Sequence, residues 1–302
     1  MRIFLLLFGA LSLLVSGDAF AAEKLRPEEA HLREVYDQNQ AKLANNSFGL
    51  PLFLESCSED GRSDVDVYGV FDAPFAGVVD ALRVPANWCD IAALHPNVKA
   101  CTYQGEPGAW LLTFYLGRKF YQPPEDTRQV IYHFRNAARR QGYLDIVLAA
   151  NAGPFGTKDH RIRFEALPLA EDKTFVHISY GYRDTLALRL ATEGYFSTLG
   201  SGKVGFTVTG TDRKGEPVYI GGSRGAVERN AVRYYFAIQA FMNSLHSPAA
   251  SRFSRRINTW YELTNPYRKQ LFELDKKDYL AFKINEHENQ LTLQRSLGTS
   301  SQ

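Results

Sequence analysis

The sequence predicts an α+β fold in which a curved antiparallel sheet packs its apolar face against one long helix. Three observations predict it. Strand-like segments follow one another as hairpins, which argues against a parallel sheet of alternating strands and helices. A strand near residue 65 is set apart from that run by two short helical pieces. A long amphipathic helix over 226–245 follows the last hairpin.

Residues 22–45 are polar and helix-prone with sparse apolar positions, so they read as a packing arm rather than a domain. Residues 46–64 read as loop and turn. DVDVYGVFDAPF then alternates apolar and polar positions and stops at Pro74, as a strand does. AGVVDALRVPANWCDIAAL reads as helical pieces broken at Pro85. WLLTFYLGRKFY, RQVIYHFRNAAR and YLDIVLAANAG are strand candidates. In RIRFEALPLAEDKTFVHISYGYRD, Ile162, Phe164 and Ala166 share one face, and Val176, Ile178, Tyr180 and Tyr182 share the returning one. A loop of about five residues over 168–172 joins those faces in register. TLALRLATEGYFSTL has helical spacing, and VGFTVTGTDRKGEPVYIGG is a hairpin turned at 212–215. In the long helix Val227, Ala231, Tyr234, Tyr235, Ile238, Phe241, Met242 and Leu245 form one stripe, with Arg229, Asn230, Arg233, Gln239 and Asn243 off it. The tail from 251 is helical, basic and aromatic, with a break at Pro266.

This order, with the VFDAPFAGVVDAL-to-NWCDIAAL opening and the closing helix after the last hairpin, resembles the helix-grip architecture of the START-like superfamily (SRPBCC or Bet v 1-like). The resemblance spans 62–248. It leaves an N-terminal helical arm at 22–61 and a helical C-terminal extension at 249–302 outside. It implies a cavity between sheet and helix. Tyr132, Phe134, Phe164, Tyr180, Tyr182, Phe206, Tyr234 and Tyr235 are the aromatic residues expected to line it. Tyrosine brings an apolar body and a polar tip, which suits a hydrophobic, lipid-like ligand.

Residues 1–21 read as a signal peptide. Arg2 supplies the positive start, 3–15 (IFLLLFGALSLLV) the apolar run, and Ala19-Phe20-Ala21 the cleavage site. That run is short for a membrane span. The expectation is an exported protein, periplasmic in a Gram-negative source. About 280 residues of the 302 then remain, enough for one large domain with extensions or for two small ones. A net charge of +2 with dispersed basic residues carries no nucleic-acid footprint. Of the three cysteines, Cys89 and Cys101 close a short loop and are the expected disulfide, leaving Cys57 over. With no C-x-x-C pair and singly scattered histidines, neither a metal nor another cofactor is expected.

Gly221-Gly222-Ser223-Arg224-Gly225 has the form of a serine-hydrolase elbow, with His246, His287, Asp275 and Asp278 downstream. An elbow needs a parallel strand before it, and here the strand is the return arm of a hairpin. The competing reading is a strand-to-helix turn in which Ser223 caps the helix. Gly200-x-Gly202-x-x-Gly205 follows a helix and opens a strand, the reverse of a dinucleotide fingerprint. His177 shares a strand face with Arg163 and Glu165, as His133 does with Arg135, and both read as solvated or salt-bridged; His95 falls in a loop. Asp64 and Asp66 share a strand face and read as a solvated edge.

The functional expectation is a hydrophobic-ligand binder or carrier of the cell envelope. The alternatives are a cyclase- or hydrolase-type enzyme using the same cavity, and an envelope interaction module. The module would dock through Arg252, Arg255, Arg256, Trp260, Tyr261, Tyr267, Arg268 and Lys269.

Overall fold

The computed structural model describes residues 27–299 apart from 141, 171 and 186–201. The signal segment, and all but the first residue of the TLALRLATEGYFSTL helix, lie outside the described residues. Eight antiparallel strands form one sheet in the order β1-β2-β8-β7-β6-β5-β4-β3. They are β1 (Leu52–Glu59), β2 (Arg62–Phe71), β3 (Val98–Gln104), β4 (Trp110–Leu116), β5 (Arg128–Arg140), β6 (Tyr143–Ala152), β7 (Lys158–Ala170) and β8 (Lys173–Arg183). The β7–β8 register is the one that alternation predicts, with Ile162 opposite Tyr180, Phe164 opposite Ile178 and Ala166 opposite Val176. The turn is tighter than five residues, because Ala170 already pairs with Lys173.

One expectation is corrected at the sheet's start. Residues 52–59 are the edge strand β1, paired with β2 throughout, and not loop. The segment LFLESCSE is half polar because an edge strand buries little, so its alternation is faint.

Between β2 and β3 lie α3 (Phe75–Leu82) and α4 (Pro85–Ala92), after the arm helices α1 (Pro27–Gln38) and α2 (Gln40–Ala44). Pro85 sits in the first turn of α4, where a missing N–H costs nothing. The Trp88 indole N–H donates to Leu82 O at 2.7 Å and locks the two short helices together. Cys89 of α4 and Cys101 of β3 are joined by a disulfide.

The inner sheet face carries the main core, including Val65, Val67, Phe71, Leu144, Ile146, Leu148, Ile162, Phe164, Val176 and Ile178. Over it runs α5 (Gly222–Ser244). The outer face has a smaller core in which Leu32 and Leu43 of the arm meet Phe53, Tyr68, Tyr143, Leu167 and Phe175. The arm therefore packs against the back of the sheet.

α5 is not the one-striped helix its sequence predicts. Arg229 and Arg233, expected off the buried stripe, are themselves buried. The reason is a second layer. The helices α6 (Arg252–Thr264), α7 (Arg268–Leu271) and α8 (Lys276–Thr299) cover the side of α5 away from the sheet and the β3 edge. The Trp260 indole donates to Arg233 O at 3.2 Å, and Arg233 pairs with Glu273 at 2.6 Å. The two-stranded β9 (Val208–Thr211) and β10 (Pro217–Tyr219) form a separate hairpin ahead of α5.

The covering layer turns part of the alternative docking surface inward. Trp260 and Arg256 are buried, with Arg256 paired to Asp90 at 2.6 Å. The Tyr261 hydroxyl donates to Leu274 O at 3.2 Å and that of Tyr267 to Phe48 O at 2.7 Å. Arg255, Arg268 and Lys269 remain exposed. No described helix is long and apolar enough to cross a membrane.

Candidate functional site

A cavity of about 600 Å³ lies between the sheet and α5. Six segments build it. The turn after α4 brings His95 and Asn97; the β4–β5 loop brings Arg118, Gln122 and Asp126; the start of β7 and the turn before it bring His160 and Pro154. Strand β5 contributes Arg128 and Tyr132, β8 contributes Tyr180, and α5 contributes Asn230 and Tyr234, one helical turn apart on the same face. Arg118, Asp126 and Arg128 are exposed and form a charged mouth, while the histidines and tyrosines are buried.

Of the eight aromatic residues expected to line a cavity, Tyr132, Tyr180 and Tyr234 do so. Tyr182 stands beside the cavity, its ring 5.1 Å from that of His160. Phe134 and Phe164 pack around Trp88 in solid core, and Phe206 stacks on Phe48. Tyr235 packs on Phe71, its hydroxyl filling the space that a side chain at Gly69 would need. The split has a simple origin. Alternation tells which face a strand residue occupies, but not whether the helix above it sits close or stands off.

His95, Asn97, Arg118, Gln122, Asp126, Arg128, His160 and Asn230 are the polar lining residues that sequence patterning missed, beside Leu116, Gly117 and Pro154. Most sit in loops and turns, where no periodicity marks an inward side chain. The cavity is therefore more polar than a lipid-like lining.

The protonation states can be worked out from the hydrogen bonds. His95 Nδ1 accepts the Asn97 backbone N–H at 3.1 Å, so the ring proton is on Nε2, which donates to Asn230 Oδ1 at 3.3 Å. Burial, helped by Arg233 and Lys283, holds its pKa well below the usual range, so the ring is neutral. Burial raises the Tyr180 pKa to about 12, and raises those of Tyr132 and Tyr234 further. Tyr132 and Tyr234 also feel Tyr180 electrostatically, and all three hydroxyls stay protonated. No hydrogen bond from the Tyr132 or Tyr234 hydroxyl to a described residue is formed, so both are available to a ligand. The chemical character is that of neutral donors in a sheltered space, backed by cations at the mouth.

Ser223 gains no catalytic partners. It lies in the first turn of α5, whereas His246 lies past the far end, roughly 34 Å away at 1.5 Å per residue. His287 stacks on Phe253 with ring centroids 3.8 Å apart. Ser223 does not cap the helix either, since Gly221 occupies the N-cap and no side chain bonds there. The glycines carry the motif. Gly222 has φ +62, and a Cβ at Gly225 would come 2.7 Å from Ile220 O. Gly205 likewise serves packing, facing Gly225 across that approach.

Asp64 pairs with Arg62 at 2.6 Å, and Asp66 accepts from His177 Nε2 at 2.8 Å. His177 Nδ1 donates to Glu165 at 2.8 Å. Carboxylates on both ring nitrogens require the imidazolium. Burial pulls the His177 pKa down, but the two carboxylates overrule it and raise it. This cluster sits on the outer sheet face, away from the cavity. Among the described residues no group of three or more His, Cys, Asp or Glu side chains is placed to hold a metal ion.

No protein-family model matches the chain, and no curated protein matches it. Solved structures do align. A conserved protein of unknown function from Enterococcus faecalis is 12% identical over 77% of this chain and 96% of its own, with a TM-score of 0.35. Norcoclaurine synthase from Thalictrum flavum, in complex with dopamine and hydroxybenzaldehyde, is 10% identical over 46% of this chain and 81% of its own, with a TM-score of 0.34. A START superfamily protein from Mycobacterium smegmatis is 12% identical over 46% and 92%, with a TM-score of 0.30. At such scores these likenesses carry neither a ligand nor an activity to this chain. The fold itself is given by the chain's own element order: strands, two short helices, a run of antiparallel hairpins and a long helix laid over the inner face of the curved sheet, which is a helix-grip arrangement.

Proposed function

We propose that the protein binds an amphipathic small molecule in the cavity between sheet and α5, as an exported binder or carrier of the cell envelope. The observation that supports this reading is the cavity itself. Its volume of about 600 Å³ is in the range of small-molecule sites, and Tyr132, Tyr180 and Tyr234 bring ring faces and hydroxyls to one space. Polar groups fix orientation in such sites, and here His95 and Asn230, hydrogen-bonded to each other at 3.3 Å, stand in the same wall. Export rests on the residues of the leader, with cleavage near Ala21.

Native mass spectrometry of the purified mature protein tests the binding. The expected result is a co-purifying species lost on organic extraction, with saturable rebinding of the extract. Failure of any extract component to rebind would sink the reading. N-terminal sequencing of the secreted form tests export, with Ala22 the expected first residue.

A further inference from the structure

The polar groups buried between α8 and β3 lie behind one wall of the cavity. Lys283 and Glu286 of α8 and Lys99 of β3 have side chains only 3%, 4% and 1% exposed. Lys283 Nζ donates to His95 O at 2.8 Å, to Val98 O at 2.9 Å and to Glu286 Oε2 at 2.8 Å. Three acceptors need three hydrogens, so Lys283 is an ammonium although burial lowers its pKa. Lys99 Nζ donates to Pro96 O and to Glu286 Oε1, both at 2.8 Å. One turn before Lys283, the Tyr279 hydroxyl donates to Leu94 O at 2.8 Å.

These bonds converge on one turn. The carbonyls of Leu94, His95, Pro96 and Val98 are held by Tyr279, Lys283 and the Lys99 that Glu286 pairs with. That of Asn97 accepts the Gly117 N–H at 2.8 Å. The same turn carries His95 and Asn97 into the cavity wall. His95 Nδ1 takes the Asn97 N–H at 3.1 Å, so the ring that meets Asn230 is itself oriented by the backbone that α8 holds. The other half of α8 works elsewhere. Gln290 and Gln294 reach Cys101 and Tyr103, neither of which is among the lining residues.

We propose that Lys283 is a positioning residue of the cavity: through the 94–98 turn, α8 sets where His95 and Asn97 stand and so how tightly a ligand binds. This rests on the cavity being a ligand site. A site is placed only as firmly as the groups behind it. An apolar stripe on α8 would also hold the helix to the sheet, but apolar contact has no direction. Charge-assisted hydrogen bonds from one ammonium to two carbonyls fix the turn's backbone in one orientation. The coupling runs both ways, so a ligand that favours the held wall tightens α8 on the turn in return.

Lys283→Met keeps the side chain's length and leaves Glu286 paired one-to-one with Lys99, so no buried charge is stranded. Gln294→Ala is the control at the far end of the same helix. Three readouts are taken on the mature protein: the His95 ring nitrogens by NMR, assigned with His95→Gln; amide exchange at Asn97; and affinity for anilinonaphthalene sulfonate by equilibrium dialysis. Lys283→Met should shift the His95 nitrogens, speed Asn97 exchange and weaken the sulfonate about fivefold or more, the lower end of coupling between sites. Gln294→Ala should leave all three as in the wild type and speed exchange at Tyr103 alone. Tyr279→Phe, which removes only the hydroxyl on Leu94, should move the three readouts in the same direction by less, and it decides the question if Lys283→Met does not fold. Wild-type His95 and Asn97 signals in Lys283→Met would overturn the proposal, and so would an altered wall with unchanged affinity. Equal loss of binding in Gln294→Ala would overturn it too, because helix docking in general would then be the cause. A wild-type protein that takes up no sulfonate counts against the ligand-site reading, and the wall assignment is then judged by His95 and Asn97.

Discussion

Gln294 hydrogen-bonds both backbone groups of Tyr103. Its amide oxygen accepts the Tyr103 N–H at 2.9 Å and its amide nitrogen donates to Tyr103 O at 2.9 Å. One turn earlier, Gln290 accepts the Cys101 N–H at 2.8 Å. Four residues of helix rise about 6 Å, and two residues of strand rise about 6.6 Å. Glutamines at i and i+4 on α8 therefore meet outward-facing groups at i and i+2 on β3. The helix serves the sheet's edge as a further strand would.

Removing these amides should open that edge. Gln290→Ala leaves the buried Cys101 N–H without a partner, at a cost of about 1–3 kcal/mol. The double variant Gln290→Ala/Gln294→Ala should speed amide exchange at Cys101 and Tyr103 and promote edge-to-edge self-association. Hydrogen exchange and light scattering check both. Unchanged exchange at the two amides would show that α8 does not protect β3.

Glu273 gathers Arg233, Lys119 and Lys203 under α5. Burial alone would raise its carboxyl, but the three cations hold it at about 2 against an ordinary 4.5. Arg233 stays charged although burial lowers its pKa. A folded pKa below the unfolded one contributes stability above pH 4.5, lost as pH falls toward 2. Glu273→Gln should cost about 3–5 kcal/mol at neutral pH, as for a broken buried pair. It should also flatten the acid limb of the stability curve. Urea titrations between pH 2 and 7 test this.

His177 works in the opposite sense. Its folded pKa lies above the ordinary 6.5, so its contribution is complete below that value and fades as pH rises through the folded pKa. His177→Gln should reduce stability at pH 6 and lessen the loss on raising pH above 6.5. Parallel pH dependences for variant and wild type would refute the imidazolium assignment.

The glycine-rich turn separates packing from chemistry. Ser223→Ala should change stability by no more than about 0.5 kcal/mol, as surface changes usually do. Gly225→Ala pushes a methyl onto the Ile220 carbonyl and should cost about 1–3 kcal/mol. Thermal melts of the two variants give the comparison. A larger loss from Ser223→Ala than from Gly225→Ala would reverse the reading of the motif.

Alternation over 162–182 was enough to place Ile162, Phe164 and Ala166 opposite Tyr180, Ile178 and Val176, because a strand with one buried face admits only one register. The apolar stripe of α5 and the Pro85 break were legible for the same reason, since each is a local rule written in neighbouring residues. Edge strand β1 was missed because an edge buries little and its pattern is faint. His95, His160 and Asn230 were missed because the turn, strand start and helix that carry them give no signal of which side chain lines a cavity.

Spacing along the chain sets the α+β class, the hairpin order and a long helix laid over an antiparallel sheet, and all three are readable in local pattern. Contacts between distant segments set the rest: α5 is covered on its second side, burying Arg233, and three of the eight expected aromatic residues line the cavity. They also fix the tautomer of His95. Those outcomes depend on groups far apart in sequence, such as Arg233 with Glu273 and His95 with Asn230, whose distances no local pattern encodes.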